Sequence, residues 1–131
     1  MVCVDTSFLV ALIRRDLTAE KKLEDYEANG VEVSTAPITA CELFKGAYRS
    51  ERREVEIKKV KDILTRLELL NFSVEACERY GKLVNELRLA GIPIGDLDTM
   101  IASLAMVYGE PLLTSNRAHF ERVPGLIVET W

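Results

Sequence analysis

The chain is short of histidine, of organised cysteine and of long apolar runs, and each shortage removes a class of protein. Its one histidine, His119, cannot act as both base and acid for a cleavage that cyclises a ribose 2′-hydroxyl. The residue reads instead as packing beside Phe120. Three cysteines (Cys3, Cys41 and Cys77) are odd in number and lack CxxC spacing, which argues against a disulfide frame or a zinc site. They are expected as buried free thiols in a reducing cytosol, which places the chain in the cytoplasm. No run approaches the ~20 apolar residues of a membrane span. The opening MVCVDTSFLV has no basic region and no small-residue cleavage site, so it reads as a first core strand rather than a signal peptide. GxxxxGK[ST], GxGxxG and GxSxG are all absent, which removes the common nucleotide-cradling loops and the seryl-hydrolase elbow.

What remains is 131 residues, 48% of them apolar, enough for one domain over 1–131 with a real core. The net charge of −4 disfavours nucleic-acid binding by bulk electrostatics, because counterion release requires clustered cations. One segment departs from this balance. RSERREVEIKKVK, Arg49–Lys61, holds six bases against three acids, as either a solvated helix face or a phosphate-contacting edge.

Apolar and β-branched runs at Val2–Val4, Val31–Thr35, Leu69–Phe72, Pro111–Thr114 and Leu126–Glu129 predict strands. Between them lie helical patterns. Ser7–Arg14 has Thr6 or Ser7 available as a cap, and a polar helix opens at Thr18 and is closed by Gly30. Further helices run from Pro37 to Tyr48, across the stripe Val55–Leu67, from a Ser73 cap to Ala90, from Leu97 to Tyr108, and briefly at Arg117–Phe120. Strands alternating with helices predict an α/β domain, three layers α/β/α around a mainly parallel sheet.

In such sheets ligands bind beyond the carboxyl ends of the strands. Asp5 ends the first strand. Thr114, Ser115 and Asn116 end another, and Asp96 and Asp98 open the helix that feeds it. Glu42 lies on the helix after strand two. Each acid also has a plain structural use: Asp5 as a helix cap, Asp96 as an N-cap, Asp98 as a charge on the helix dipole, Glu42 as an exposed helix residue. Several carboxylates converging on one strand end repel one another unless a cation neutralises them, and hard oxygen ligands suit Mg²⁺ or Mn²⁺.

Four stretches, VDTSFLVAL, ITACELFKGA, IGDLDTMIASLA and LLTSNRAHFERVPGL, resemble the four motifs of PIN-domain nucleases in order. The resemblance spans nearly the whole chain and is closest to VapC-type ribonuclease toxins. It implies that Asp5, Glu42 and Asp98 are the catalytic, metal-binding acids, with Asp96 sharing the metal or capping the helix. Thr6 and Thr114 are implied as donors to these ligands. Asn116 stands where relatives often carry aspartate, which leaves a second metal in doubt and makes Asn116 a candidate to orient water. The resemblance further implies Mg²⁺ (or Mn²⁺)-dependent hydrolysis of RNA by water, giving 5′-phosphate and 3′-hydroxyl ends. It also implies a VapB-type antitoxin as partner and a homodimer. Arg14, Lys45 and Arg49, with Arg15, Arg52 and Arg53 nearby, are candidates to grip RNA phosphates or an acidic partner. Tyr26, Leu43, Phe44 and Tyr48 are candidate apolar contacts for that partner.

Other readings predict different residues. An aspartyl-phosphate phosphatase would need D-x-D-x-[TV] after the first strand, where Thr6 and Ser7 follow Asp5. An inactive PIN-like module that only binds RNA or protein would have lost a core acid, and all three are present. A DNA-directed or RNA-processing nuclease of the same fold needs the same acids.

Overall fold

A computed structural model describes residues 1–131 as five strands and seven helices. In chain order they are β1 (Val2–Val4), α1 (Thr6–Ile13), α2 (Leu17–Ala28), β2 (Val33–Thr35), α3 (Pro37–Arg49) and α4 (Arg53–Leu64). There follow β3 (Glu68–Leu69), α5 (Val74–Leu89), α6 (Asp96–Val107), β4 (Leu112–Leu113), α7 (Arg117–Phe120) and β5 (Val128–Glu129). Every strand pair is parallel, in the order β3-β2-β1-β4-β5.

The two-residue period of a strand explains why helices cover both faces. Val2 and Val4 of β1 and Leu113 of β4 pack with buried residues of α1 to α4, among them Phe8, Leu9, Leu23 and Leu43. Cys3 and Leu112 project the other way and pack with α5, α6 and Phe120. Burying one such Leu or Phe contributes roughly 1.5–3 kcal/mol, so the two cores hold the sheet from both sides. The arrangement is the predicted three-layer α/β/α fold, with a sheet wholly rather than mainly parallel.

Local signals set most of the element ends. Ser73 caps α5 as expected, accepting the Ala76 amide at 3.2 Å. Helix α2 begins earlier than Thr18, because Asp16 is the better cap. It accepts the Ala19 amide at 2.9 Å, and Thr18 donates to it. Strand β3 ends at Leu69 rather than Phe72. Leu70 still donates to the Thr35 carbonyl, but Ser73 donates its amide to the Asn71 carbonyl, and the chain turns out of the sheet to cap α5. Of the cysteines only Cys3 is buried, with burial pushing its thiol up to about 12; Cys41 and Cys77 are exposed, against expectation.

At the amino end of the sheet Glu110 is buried. Its Oε2 lies 2.5 Å from Ser34 Oγ, which is itself 3.2 Å from the Val2 carbonyl, and its Oε1 has no partner. One hydroxyl proton cannot serve both oxygens. A protonated Glu110 resolves this by donating to Ser34, which then donates to Val2. Burial raises the Glu110 pKa in keeping with that, against the opposing pull of the Ser34 hydrogen bond. A carboxyl whose folded pKa is raised costs stability above that pKa. The cost is relieved as pH falls through it and is gone below the unfolded value. Glu110→Gln, which imitates the neutral acid, is therefore expected to raise Tm at neutral pH by about a few degrees. It is also expected to flatten the gain in stability that the parent shows on mild acidification. Thermal melts at both pH values check this; a lower Tm for the variant at neutral pH would contradict it.

Candidate active site

Strand β1 lies between β2 and β4, so the connections leaving β1 and β4 diverge and open a crevice at their carboxyl ends. Val4 and Leu113 pair at that edge, which sets the next residues, Asp5 and Thr114, side by side. The Asp5 amide donates to the Leu113 carbonyl at 3.1 Å, and Thr114 Oγ1 donates to Asp5 Oδ2 at 2.5 Å. Asp5 Oδ1 accepts from Ser7 Oγ at 2.5 Å and from the Phe8 amide at 3.2 Å. Asp5, rather than Thr6 or Ser7, is thus the N-cap of α1. The structural use and the site position belong to one carboxylate, buried to 5% exposure. Desolvation raises its pKa, while the Ser7, Thr114 and backbone donors pull it down.

Freed from capping, Thr6 donates to Glu42 Oε1 at 2.8 Å. This contact turns the α3 carboxylate to the crevice rather than to bulk solvent. Asp98 enters from α6, half-buried in the first turn. Its pKa is raised, chiefly by desolvation; His119 opposes this, and the charges of Glu42 and Asp5 add to the rise. The charges of Asp5 and Glu42, carried on two other elements, thus bear on Asp98 across the crevice.

Two expectations need correction. Asp96 does not cap α6. Gly95 is the N-cap, with φ 92°, a conformation that glycine adopts without strain. Asp96 follows as the first helical residue, is exposed, and accepts the Tyr80 hydroxyl at 3.1 Å. His119 does pack edge-on beside Phe120, at 5.7 Å between ring centroids, but it also belongs to the site. Its Nδ1 is 3.0 Å from Asp98 Oδ2 and 3.0 Å from Asn116 Nδ2. The available signal was topological: like Asn116 and Thr114, it follows β4 at the carboxyl edge. Asn116 turns its side chain to His119, and its backbone N–H donates to Thr114 Oγ1 at 3.0 Å. Ser7, expected only as a cap, also belongs to the site: besides donating to Asp5, it accepts the Ser115 backbone amide at 3.0 Å.

The cations divide. Arg14 lines a groove with Thr6, Glu42 and Gly46, and Lys45 and Arg49 line a second with Ile38, Glu42 and Leu97. Arg15 faces a different cleft, with Glu20, Asp62 and Arg66. Arg53 donates Nε to the Tyr48 carbonyl at 3.0 Å. Of the expected apolar contacts, Leu43 is core, Phe44 is half-buried, Tyr26 donates to Glu129 at 3.0 Å, and Tyr48 stands exposed.

No three His, Cys, Asp or Glu side chains close into an ion-enclosing group. The donor chemistry nonetheless fits a hard, heavily hydrated cation. Mg²⁺ keeps several waters and takes only one or two carboxylates, and the crevice presents oxygen ligands whose mutual repulsion a cation would relieve.

A parallel sheet with acids at its switch point, one each on the β1 edge, α3 and α6, defines a class as well as a site. The chain belongs to the PIN domain family, whose profile matches residues 2–126. Within it the chain is 32% identical to Ribonuclease VapC2 of Rickettsia felis over 98% of its length and 96% of that protein's. It is 34% identical to the tRNA(fMet)-specific endonuclease VapC of Salmonella typhimurium over 82% of each. Its fold superposes with a TM-score of 0.94 on the crystal structure of VapBC2 from Rickettsia felis bound to a DNA fragment from its promoter. That match is 32% identical and covers 100% of this chain and 99% of the other.

Proposed function

We propose that this chain is a Mg²⁺ (or Mn²⁺)-dependent endoribonuclease and the toxin of a VapBC-type toxin–antitoxin pair. The observation that carries the reading is that Asp5, Glu42 and Asp98 share one crevice: Thr6, the neighbour of Asp5, donates to Glu42 at 2.8 Å, and the charges of both acids bear on Asp98. VapC relatives named as ribonucleases, similar over nearly the full length, support it.

Asp5 and Asp98, with Glu42, would hold the ion, while Asp96, two residues before Asp98, accepts from Tyr80. When bound, the ion supplies a water of lowered pKa and neutralises charge on the scissile phosphate. The chain's own residues do the rest. Ser7, Thr114 and the Phe8 amide fix both oxygens of Asp5, and Thr6 fixes Glu42, so the acids are held before substrate arrives. Asn116, whose side chain meets His119 beside Asp98, would orient water there. Arg14, Lys45 and Arg49 stand on either side of Glu42 to grip neighbouring phosphates. Water oxygen bonds to phosphorus, the bond from phosphorus to the 3′-oxygen breaks, and that oxygen takes a proton.

The same reading gives the chain a VapB-type antitoxin, a homodimeric state and a cytoplasmic place of action. No helix is long and apolar enough to cross a membrane. The chemistry of the product ends tests the mechanism. Ends that ligate as 5′-phosphates, paired with 3′-hydroxyls, are expected; 2′,3′-cyclic phosphates would exclude water as the nucleophile.

A further inference from the structure

Gly46 lies inside α3, one turn beyond Glu42. A glycine in a helix interior costs roughly 0.5–1 kcal/mol relative to alanine. A positive φ or a crowded Cβ usually accounts for that cost. Here φ is not in the left-handed region, and a Cβ built at Gly46 meets no atom within 4 Å. Nothing within the chain requires the missing side chain.

Gly46 and Glu42 are also the residues shared by the two grooves beside the site. The first, about 260 Å³, has Arg14 on its wall; the second, about 350 Å³, has Lys45 and Arg49. Gly46 is the saddle between them, exposed on α3 and without a side chain. Glu42 and, in the first groove, Glu56 are the acids present. A strand presented to Glu42 would cross this saddle, with Arg14 on one side and Lys45 and Arg49 on the other.

We infer that Gly46 is a substrate-positioning residue. Its bare backbone lets a single RNA strand cross α3 between the two grooves, with flanking phosphates held by Arg14 on one side and by Lys45 and Arg49 on the other. The second groove, with Lys45 and Arg49 against Glu42, is the one whose charge favours a polyanion; in the first, Arg14 is the single cation beside Glu42 and Glu56. The inference rests on the ribonuclease reading given above.

The test pairs Gly46→Ala with Gly81→Ala. Gly81 is the matched control: it lies inside α5, is exposed, and its built Cβ is equally free of neighbours. Both alanines are expected to raise Tm or leave it unchanged, which removes misfolding as an explanation. With Mg²⁺ present, binding of a fluorescein-labelled, mixed-sequence single-stranded RNA is measured by anisotropy on full chains that also carry Asp5→Asn. Gly46→Ala is expected to weaken binding about tenfold. In cleavage by otherwise unaltered chains, the same variant is expected to raise KM more than it lowers kcat. Gly81→Ala is expected to change neither. Arg14→Ala and Lys45→Ala are each expected to weaken binding and to reduce its salt dependence. Equal RNA binding by the two glycine variants would overturn the inference while leaving the ribonuclease reading intact. So would a Gly46→Ala defect confined to binding an antitoxin. Failure of the unaltered chain to cleave any RNA would instead remove the reading beneath it.

Discussion

Asp5→Asn is expected to abolish RNA cleavage, by roughly 10²–10³-fold or more, while leaving the fold intact. The two halves of that expectation have separate causes. Asparagine is as good an N-cap as aspartate, so the Phe8 amide and the Ser7 hydroxyl keep their acceptor. The Thr114 hydroxyl can rotate to accept from the new amide. Burial raises the Asp5 pKa, so the neutral side chain also removes a desolvation cost, and the variant is expected to melt at or above the parent's Tm. What it loses is one negative charge at the crevice, and with it a ligand for the cation. A melt and a cleavage assay on one preparation check both halves. Normal cleavage would show that Asp5 is only a cap; an unfolded variant would show that its role is mainly structural.

The second large effect separates two aspartates that stand two residues apart. Asp98→Asn is expected to reduce cleavage by about two to three orders of magnitude, and Asp96→Asn by no more than a few-fold. Asp98 faces Glu42, Asp5 and His119, whereas Asp96 accepts from Tyr80 at the exposed edge of α5, a bond that asparagine keeps. Mn²⁺ binding, read by electron paramagnetic resonance, is expected to weaken in the first variant and hold in the second. The reverse order would mean that the ion sits on the other aspartate.

The fold was legible because its signals are local and periodic. Alternating strands and helices predict a parallel sheet, and the two-residue period of β1 sends Val2 and Val4 to one helical layer and Cys3 to the other. The acids were legible as a group because topology alone carries them to the carboxyl edge. The division of labour among neighbours was not. Whether Asp5, Thr6 or Ser7 caps α1 depends on which hydroxyl finds a distant partner, and Thr6 finds Glu42, 36 residues away. Asp96 lost the capping role to Gly95, whose φ of 92° cannot be read from IPIG. His119 was missed because a histidine beside a phenylalanine satisfies a packing account. Its contact with Asp98 joins α6 to the short α7 across 21 residues, a separation without periodic signature.

The most direct measurement is cleavage of total RNA by the purified, antitoxin-free chain, with Mg²⁺ or Mn²⁺ and again with chelator, alongside Asp5→Asn. Discrete cuts that require the metal and vanish in the folded variant are the predicted result. Cleavage that persists in chelator, or that Asp5→Asn leaves unchanged, would contradict the account.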